Sequence, residues 1–251
     1  MLSDNGKLWK EIMRLYDIIK KSVLVFVLIG ASAFGNPLTA QSWLIAEKDG
    51  QIIAGENVNE VRAIASITKL VTVMVFLDSV PNPTSKQEKW IHDAITLSSN
   101  KSAKDLCDNH PEGYSRCVHL MNLKAQEIGL FNTRFLEPTG LSVFNVSTAE
   151  ELVKIVKESS KYPLIVRYSN DAVRNTNPTI GKYDYIVSKT GYINKSGGCI
   201  VAMIQDKIYV LLGSKNTKTR IAELEYLKRQ HTDAARIQLL PKTPLDFVSV
   251  L

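Results

Sequence analysis

Short apolar runs near both ends of the chain, with longer one-sided or all-round apolar stretches between them, set the pattern from which the fold is read. Residues 43–47 and 51–54 are two strand-like runs joined at Asp49-Gly50, a pair that readily takes the positive dihedrals of a tight turn, so a β-hairpin is predicted. Residues 63–78 are apolar almost all round, the mark of a helix enclosed by core on every side. Residues 90–97 and 114–130 read as further helices, the second with Cys117, Met121 and Ile128 on one face and Gly129 near its end. Ser147-Thr-Ala-Glu150 has the form of a capping box and predicts a helix through about Glu158. After Pro178 the period changes: 185–188, 199–205 and 208–212 are predicted strands, followed by a helix over roughly 219–229. Strands at both ends with helices between imply an α+β fold whose antiparallel sheet joins the early hairpin to the late strands, bringing positions near 66 beside those near 189.

Ahead of this domain, Lys20 and Lys21 precede an apolar run from Val23 and then Ala31-Ser32-Ala33, the charged, greasy, cleavable order of a secretory signal. Residues 1–33 are therefore expected to be a signal peptide, with cleavage after Ala33 or Ala40 and Met13 as an alternative start. The domain is expected over 41–230 and a C-terminal tail over 231–251. The apolar run is short for a bilayer-crossing helix. With 251 residues, 45% apolar and 22% charged, the composition suits a packed globular core and excludes disordered or collagen-like chains. The net charge of +6 is not gathered into Lys/Arg clusters with interleaved aromatics, so no nucleic-acid partner is expected. Loose attraction to anionic wall polymer or membrane is compatible with it. Cys107 and Cys117, ten positions apart, could pair as a disulfide, leaving Cys199 as a small buried hydrophobe in a strand. The four histidines show no metal-ligand spacing, and neither a phosphate loop nor a Gly-x-Ser-x-Gly elbow is present; no metal or cofactor is expected.

Three short motifs carry the candidate chemistry. Ser66-Ile-Thr-Lys69 opens the enclosed helix, where one helical turn separates the serine hydroxyl from the lysine amine. A lysine among Ile64, Leu70, Val73 and Met74 is partly desolvated, which disfavours its charge and makes it a usable base for activating a serine. Ser-x-x-Lys alone is weak, since Ser98-Ser-Asn-Lys101 matches it too. Ser98-Ser99-Asn100 supplies a hydroxyl and an amide able to shuttle a proton and orient a peptide carbonyl. Lys189-Thr190-Gly191, read as the end of a strand, supplies an ammonium and a hydroxyl suited to a carboxylate, with a glycine that lets a substrate backbone lie close.

Motifs of this kind, in this order, occur in β-lactamases and penicillin-binding proteins. Ala63-Ile-Ala-Ser-Ile-Thr-Lys-Leu70, Asn132-Thr-Arg-Phe-Leu-Glu-Pro-Thr-Gly-Leu-Ser142, Asn145-Val-Ser-Thr148 and Ser188-Lys-Thr-Gly-Tyr-Ile-Asn194 closely resemble low-molecular-mass penicillin-binding proteins. His110-Pro-Glu-Gly-Tyr114, Lys161-Tyr-Pro-Leu-Ile165 and Asn175-Thr-Asn-Pro178 bring the likeness nearest to the D-alanyl-D-alanine endopeptidases, over about residues 40 to 230. The resemblance implies a β-lactamase/transpeptidase-like fold, an antiparallel sheet flanked by helices with a helical subdomain. It implies acyl-enzyme hydrolysis of D-alanyl bonds in peptidoglycan stem peptides, and covalent inhibition by β-lactams. Ser66 would be the nucleophile and Lys69 its base, with Ser98 and Asn100 assisting. Lys189, Thr190 and Gly191 would bind substrate, and the Ser66 and Tyr192 amides would form the oxyanion hole. A periplasmic setting, in a Gram-negative bacterium or its phage, goes with that substrate. One departure stands out: only 32 positions separate Ser66 from Ser98, where relatives usually carry a longer insert at the cleft rim. The nearest alternative is a D,D-carboxypeptidase trimming terminal D-alanine, and the shortened rim leaves an inactive wall-binding homologue as another. The Glu-x-x-Leu-Asn pattern of true β-lactamases is absent.

Overall fold

The computed structural model describes residues 38–239, and side chains of the last helix as far as residue 230. The chain divides at Leu38/Thr39, and the second unit is the one described below. The expected signal peptide lies outside the described residues.

The hairpin forms as β1 (Ser42–Glu47) and β2 (Ile52–Glu56), with Gly50 at φ +100° in the turn. The late strands are β5 (Tyr185–Ile193), β6 (Gly197–Ile204) and β7 (Lys207–Ser214), following the two-residue strands β3 (Arg62–Ala63) and β4 (Val146–Ser147), which pair with each other. The main sheet is antiparallel in the order β2-β1-β7-β6-β5, so β5 is an edge strand. Its two faces are buried by alternate residues. Leu44, Ala46, Val201, Met203, Val210 and Leu212 join the main core. Ile45, Ile200, Ala202 and Leu211 are buried between them, on the face where the last helix, α7 (Thr217–Leu239), brings Leu224 and Leu227.

The enclosed helix is α1 (Thr68–Ser79), in which every residue from Thr68 to Leu77 is buried. Around it stand α2 (Ser85–Ile95), α3 (Asn100–Asp108), α4 (Tyr114–Glu127) and α5 (Ala149–Ser159). A short helix, α6 (Pro163–Ser169), starts on proline at its first turn and packs against β5.

Several expectations are corrected. α2 begins five residues before the predicted 90, where Thr84 and Gln87 form a reciprocal capping box. α3 and α6 occupy segments for which the sequence predicted no element. The cap of α5 is Thr148, whose hydroxyl accepts from Glu151 N, rather than Ser147. The Glu151 carboxylate instead accepts from Phe131 N, Asn132 N and Thr133 Oγ1. β5 runs to Ile193, so Lys189-Thr190-Gly191 lies inside the strand and not at its end. α7 continues ten residues past its expected limit at 229.

Cys107 in α3 and Cys117 in α4 are disulfide-bonded and fully buried, with Cα atoms 5.4 Å apart, and Cys199 is a free, buried thiol. Closing a loop of this length restricts the unfolded chain, so the Cys107→Ser/Cys117→Ser double variant is expected to lose about 3 kcal/mol. Its melting temperature should fall by roughly 5–10 °C in a thermal scan.

Candidate active site

Ser66 sits in a 3₁₀ turn (Ala65–Ile67) ahead of α1, rather than in the α-helix as expected. Lys69 follows three residues later in the first turn of α1, on the same side as Ser66. The turn is tight: Ala65 holds φ +46°, a left-handed conformation unfavourable for a residue with a Cβ. Two glycines wedge it. A Cβ on Gly140 would lie 2.0 Å from Ala65 O, and one on Gly191 of β5 would lie 2.9 Å from Ser66 N. Backbones from a loop and from the sheet edge thus press on the turn from two directions, an approach only glycine permits.

Lys69 is fully buried, and its Nζ donates to Ser66 Oγ (2.8 Å), Asn100 Oδ1 (2.8 Å) and Thr139 O (2.5 Å). Burial pushes its pKa down to about 7, partly offset by the negative charge of Glu137. Two of the three partners are carbonyl oxygens, which only accept. Once Lys69 loses a proton, its two remaining N–H groups stay with Asn100 and Thr139 and its lone pair faces the Ser66 hydroxyl. That is the geometry of a general base on an alcohol.

Across from it, Lys189 Nζ donates to Ser98 Oγ (2.8 Å) and to Thr190 O (3.1 Å). Lys189 is also buried, and desolvation, reinforced by Lys69 and Arg220, holds its pKa well below the usual lysine range. Ser98 takes φ +57° just before α3, turning its hydroxyl toward β5 while Asn100 opens the helix beside Lys69. The Thr190 hydroxyl donates to Thr176 Oγ1 at 2.7 Å. Tyr192, next to Gly191 on the strand, has an exposed side chain. The fold therefore gathers Ser66, Lys69 and Asn100 in one bonded set, pairs Lys189 with Ser98, and sets Gly191 against the Ser66 backbone.

Sequence reasoning missed several participants. Thr139 contributes only its carbonyl, Gly140 only its lack of a side chain, and Glu137 acts on backbone N–H groups, so none has a signature in residue type. Arg220 reaches from α7, buried, to donate through Nη1 to Gly191 O (2.7 Å) and Cys199 O (3.4 Å), bracing β5 from behind the site.

The family profile described as D-alanyl-D-alanine carboxypeptidase matches residues 31–92 and 85–214. The two stretches meet within α2, in the compressed passage between Ser66 and Ser98. The D-alanyl-D-alanine endopeptidase of Escherichia coli strain K12 is 31% identical over 242 residues, covering 78% of this chain and 78% of that protein. The D-alanyl-D-alanine endopeptidase of Pseudomonas aeruginosa is 32% identical over 207 residues, covering 65% of this chain and 66% of its own length. Among solved structures, cefotaxime-bound penicillin-binding protein D2 of Listeria monocytogenes superposes with a TM-score of 0.70 at 20% identity, over 76% of this chain and 96% of that one. The expected transpeptidase-like fold is borne out.

Proposed function

We propose that this chain, which belongs to the D-alanyl-D-alanine carboxypeptidase family and is a serine D,D-peptidase, acts as a D,D-endopeptidase on peptidoglycan cross-links through the site centred on Ser66. The observation that carries this reading is the 2.8 Å contact between Lys69 Nζ and Ser66 Oγ, with the other two amine donors committed to carbonyl oxygens. Neutral Lys69 takes the Ser66 proton as Oγ attacks the D-alanyl carbonyl. The oxyanion forms against the Ser66 and Tyr192 amides. The C–N bond then breaks as the leaving amine gains a proton from the Lys69–Ser98 side. Lys189 and Thr190 hold the carboxylate next to the scissile nitrogen, and Asn100 orients the acyl chain. Water, deprotonated by Lys69, releases the acyl group and restores Ser66. β-Lactams acylate the same hydroxyl.

Because the base is active when neutral, acylation of Ser66 is expected to rise with pH through about 7, the value to which burial lowers Lys69. Stopped-flow acylation by a fluorescent penicillin at a series of pH values checks this; a rate flat through neutrality contradicts it.

One observation supports the endopeptidase reading over a carboxypeptidase: the two relatives described above carry that name at 31% and 32% identity. The buried disulfide supports placement in an oxidising compartment such as the periplasm. Digestion of purified muropeptides tests the reading. Cross-linked dimers should be converted to monomers by wild type and not by Ser66→Ala. Loss of terminal D-alanine alone would assign a carboxypeptidase, and no Ser66-dependent turnover would assign a binding homologue.

A further inference from the structure

Glu137 lies in the loop between α4 and β4, and both of its carboxylate oxygens are spent on that loop. Oε2 accepts from Thr139 N (2.6 Å) and Thr139 Oγ1 (2.5 Å). Oε1 accepts from Gly140 N (2.7 Å), Ser142 N (3.2 Å) and Asn145 Nδ2 (3.1 Å). Asn145, fully buried, ties the same turn to the head of α1, through Nδ2 to Thr68 Oγ1 (3.2 Å) and through its carbonyl from Ile64 N (3.1 Å). The turn so held presents three things to the site. Pro138 O accepts from Thr72 Oγ1 (2.8 Å), Thr139 O accepts from Lys69 Nζ, and Gly140 packs on the Ala65–Ser66 backbone.

We propose that Glu137 is a positioning residue for the reaction: it sets the Thr139 carbonyl on Lys69, and with it the direction of the amine lone pair, while holding its own carboxylate charge in the loop beside that amine. The inference rests on reading Lys69 as the base for Ser66. With five donors already on its oxygens, Glu137 is committed to the loop, which separates its role from that of a second base. The charged groups set around Lys69 are Glu137 from the loop and Lys189 from β5, while Asn100 of α3 is neutral. Arg220 of α7 faces Lys189. Glu137 is thus the one acidic influence on Lys69 among these, and its charge favours the protonated amine.

Acylation of Ser66 by a fluorescent penicillin, followed against pH in wild type, Glu137→Gln and Glu137→Asp, tests this. Glutamine removes the charge and puts an NH₂ where one oxygen accepted. Its acid limb should move about one pH unit lower, with maximal acylation about tenfold slower. Aspartate keeps the charge on a shorter arm, so its limb should stay in place while the rate falls. A loop role alone would lower the melting temperature without moving the limb. A Glu137→Gln limb coincident with wild type overturns the proposal. Should Glu137→Gln fail to fold, a Glu137→Asp rate equal to wild type overturns it instead. Wild type without Ser66-dependent labelling removes the base assignment and this inference together, whereas labelled wild type with unchanged variants removes the inference alone.

Discussion

Replacing Lys69 with methionine is expected to slow acylation of Ser66 by about 10³–10⁴-fold while leaving the melting temperature within roughly 5 °C of wild type. Methionine is unbranched and of similar length, so it fills the buried space that Lys69 occupies among the core residues of α1. The change relieves the desolvation that drives the lysine pKa down to about 7. It also strands the Asn100 Oδ1 and Thr139 O acceptors, each at a cost of about 1 kcal/mol. Those terms oppose each other, which keeps the stability effect small. Nothing replaces the amine 2.8 Å from Ser66 Oγ, so the chemical effect is large. Acylation rate and a thermal scan on the same preparation check both halves. Wild-type acylation would remove Lys69 as the base, and collapse of the fold would make it structural.

The second large effect is expected from Gly140→Ala, one methyl group with no titratable chemistry. Gly140 is at φ +81°, where a Cβ costs about 1–2 kcal/mol, and that Cβ would sit 2.0 Å from Ala65 O and 2.3 Å from Ala65 C. Both obstacles are backbone atoms of the turn that carries Ser66, so no side-chain rotation relieves them. Overpacking of this kind adds about 1–3 kcal/mol. The variant should melt about 10 °C lower and acylate at least about a hundredfold more slowly, because relief means displacing Ser66 from Lys69. A Gly140→Ala protein with wild-type stability and acylation would show that loop and turn are not in contact.

The strands over residues 199–205 and 208–212 were legible in the sequence because short, unbroken apolar runs reflect burial of both sheet faces. Helix α3 was not. Only Ala103, Leu106 and Cys107 form its apolar face, while Lys101–Asp105 and Lys104–Asp108 ion pairs cover the other side, so the nine residues carry too weak an apolar period to predict a helix. At the start of α5 two capping patterns overlap, Ser147 with Glu150 and Thr148 with Glu151. Tertiary structure selects the second cap and diverts its glutamate to the N–H groups of Phe131 and Asn132. Gly191 invited the end of a strand, but its reason is the Ser66 nitrogen 2.9 Å from where a Cβ would be. In the candidate site, the side chains that the fold brings together, Ser66, Lys69, Ser98, Asn100, Lys189 and Thr190, lie in motifs legible from residue type and spacing. Thr139, Gly140 and Glu137, which contribute a carbonyl, an absent side chain and a carboxylate folded onto its own loop, carry no such signature.

The account stands on Ser66 being an activated hydroxyl. Incubating the purified protein with benzylpenicillin, then measuring intact mass and mapping peptides, addresses that directly. The expected result is a gain of one drug mass per chain, located on Ser66 and missing from Ser66→Ala. An unmodified protein, or adduct on any other residue, would contradict it.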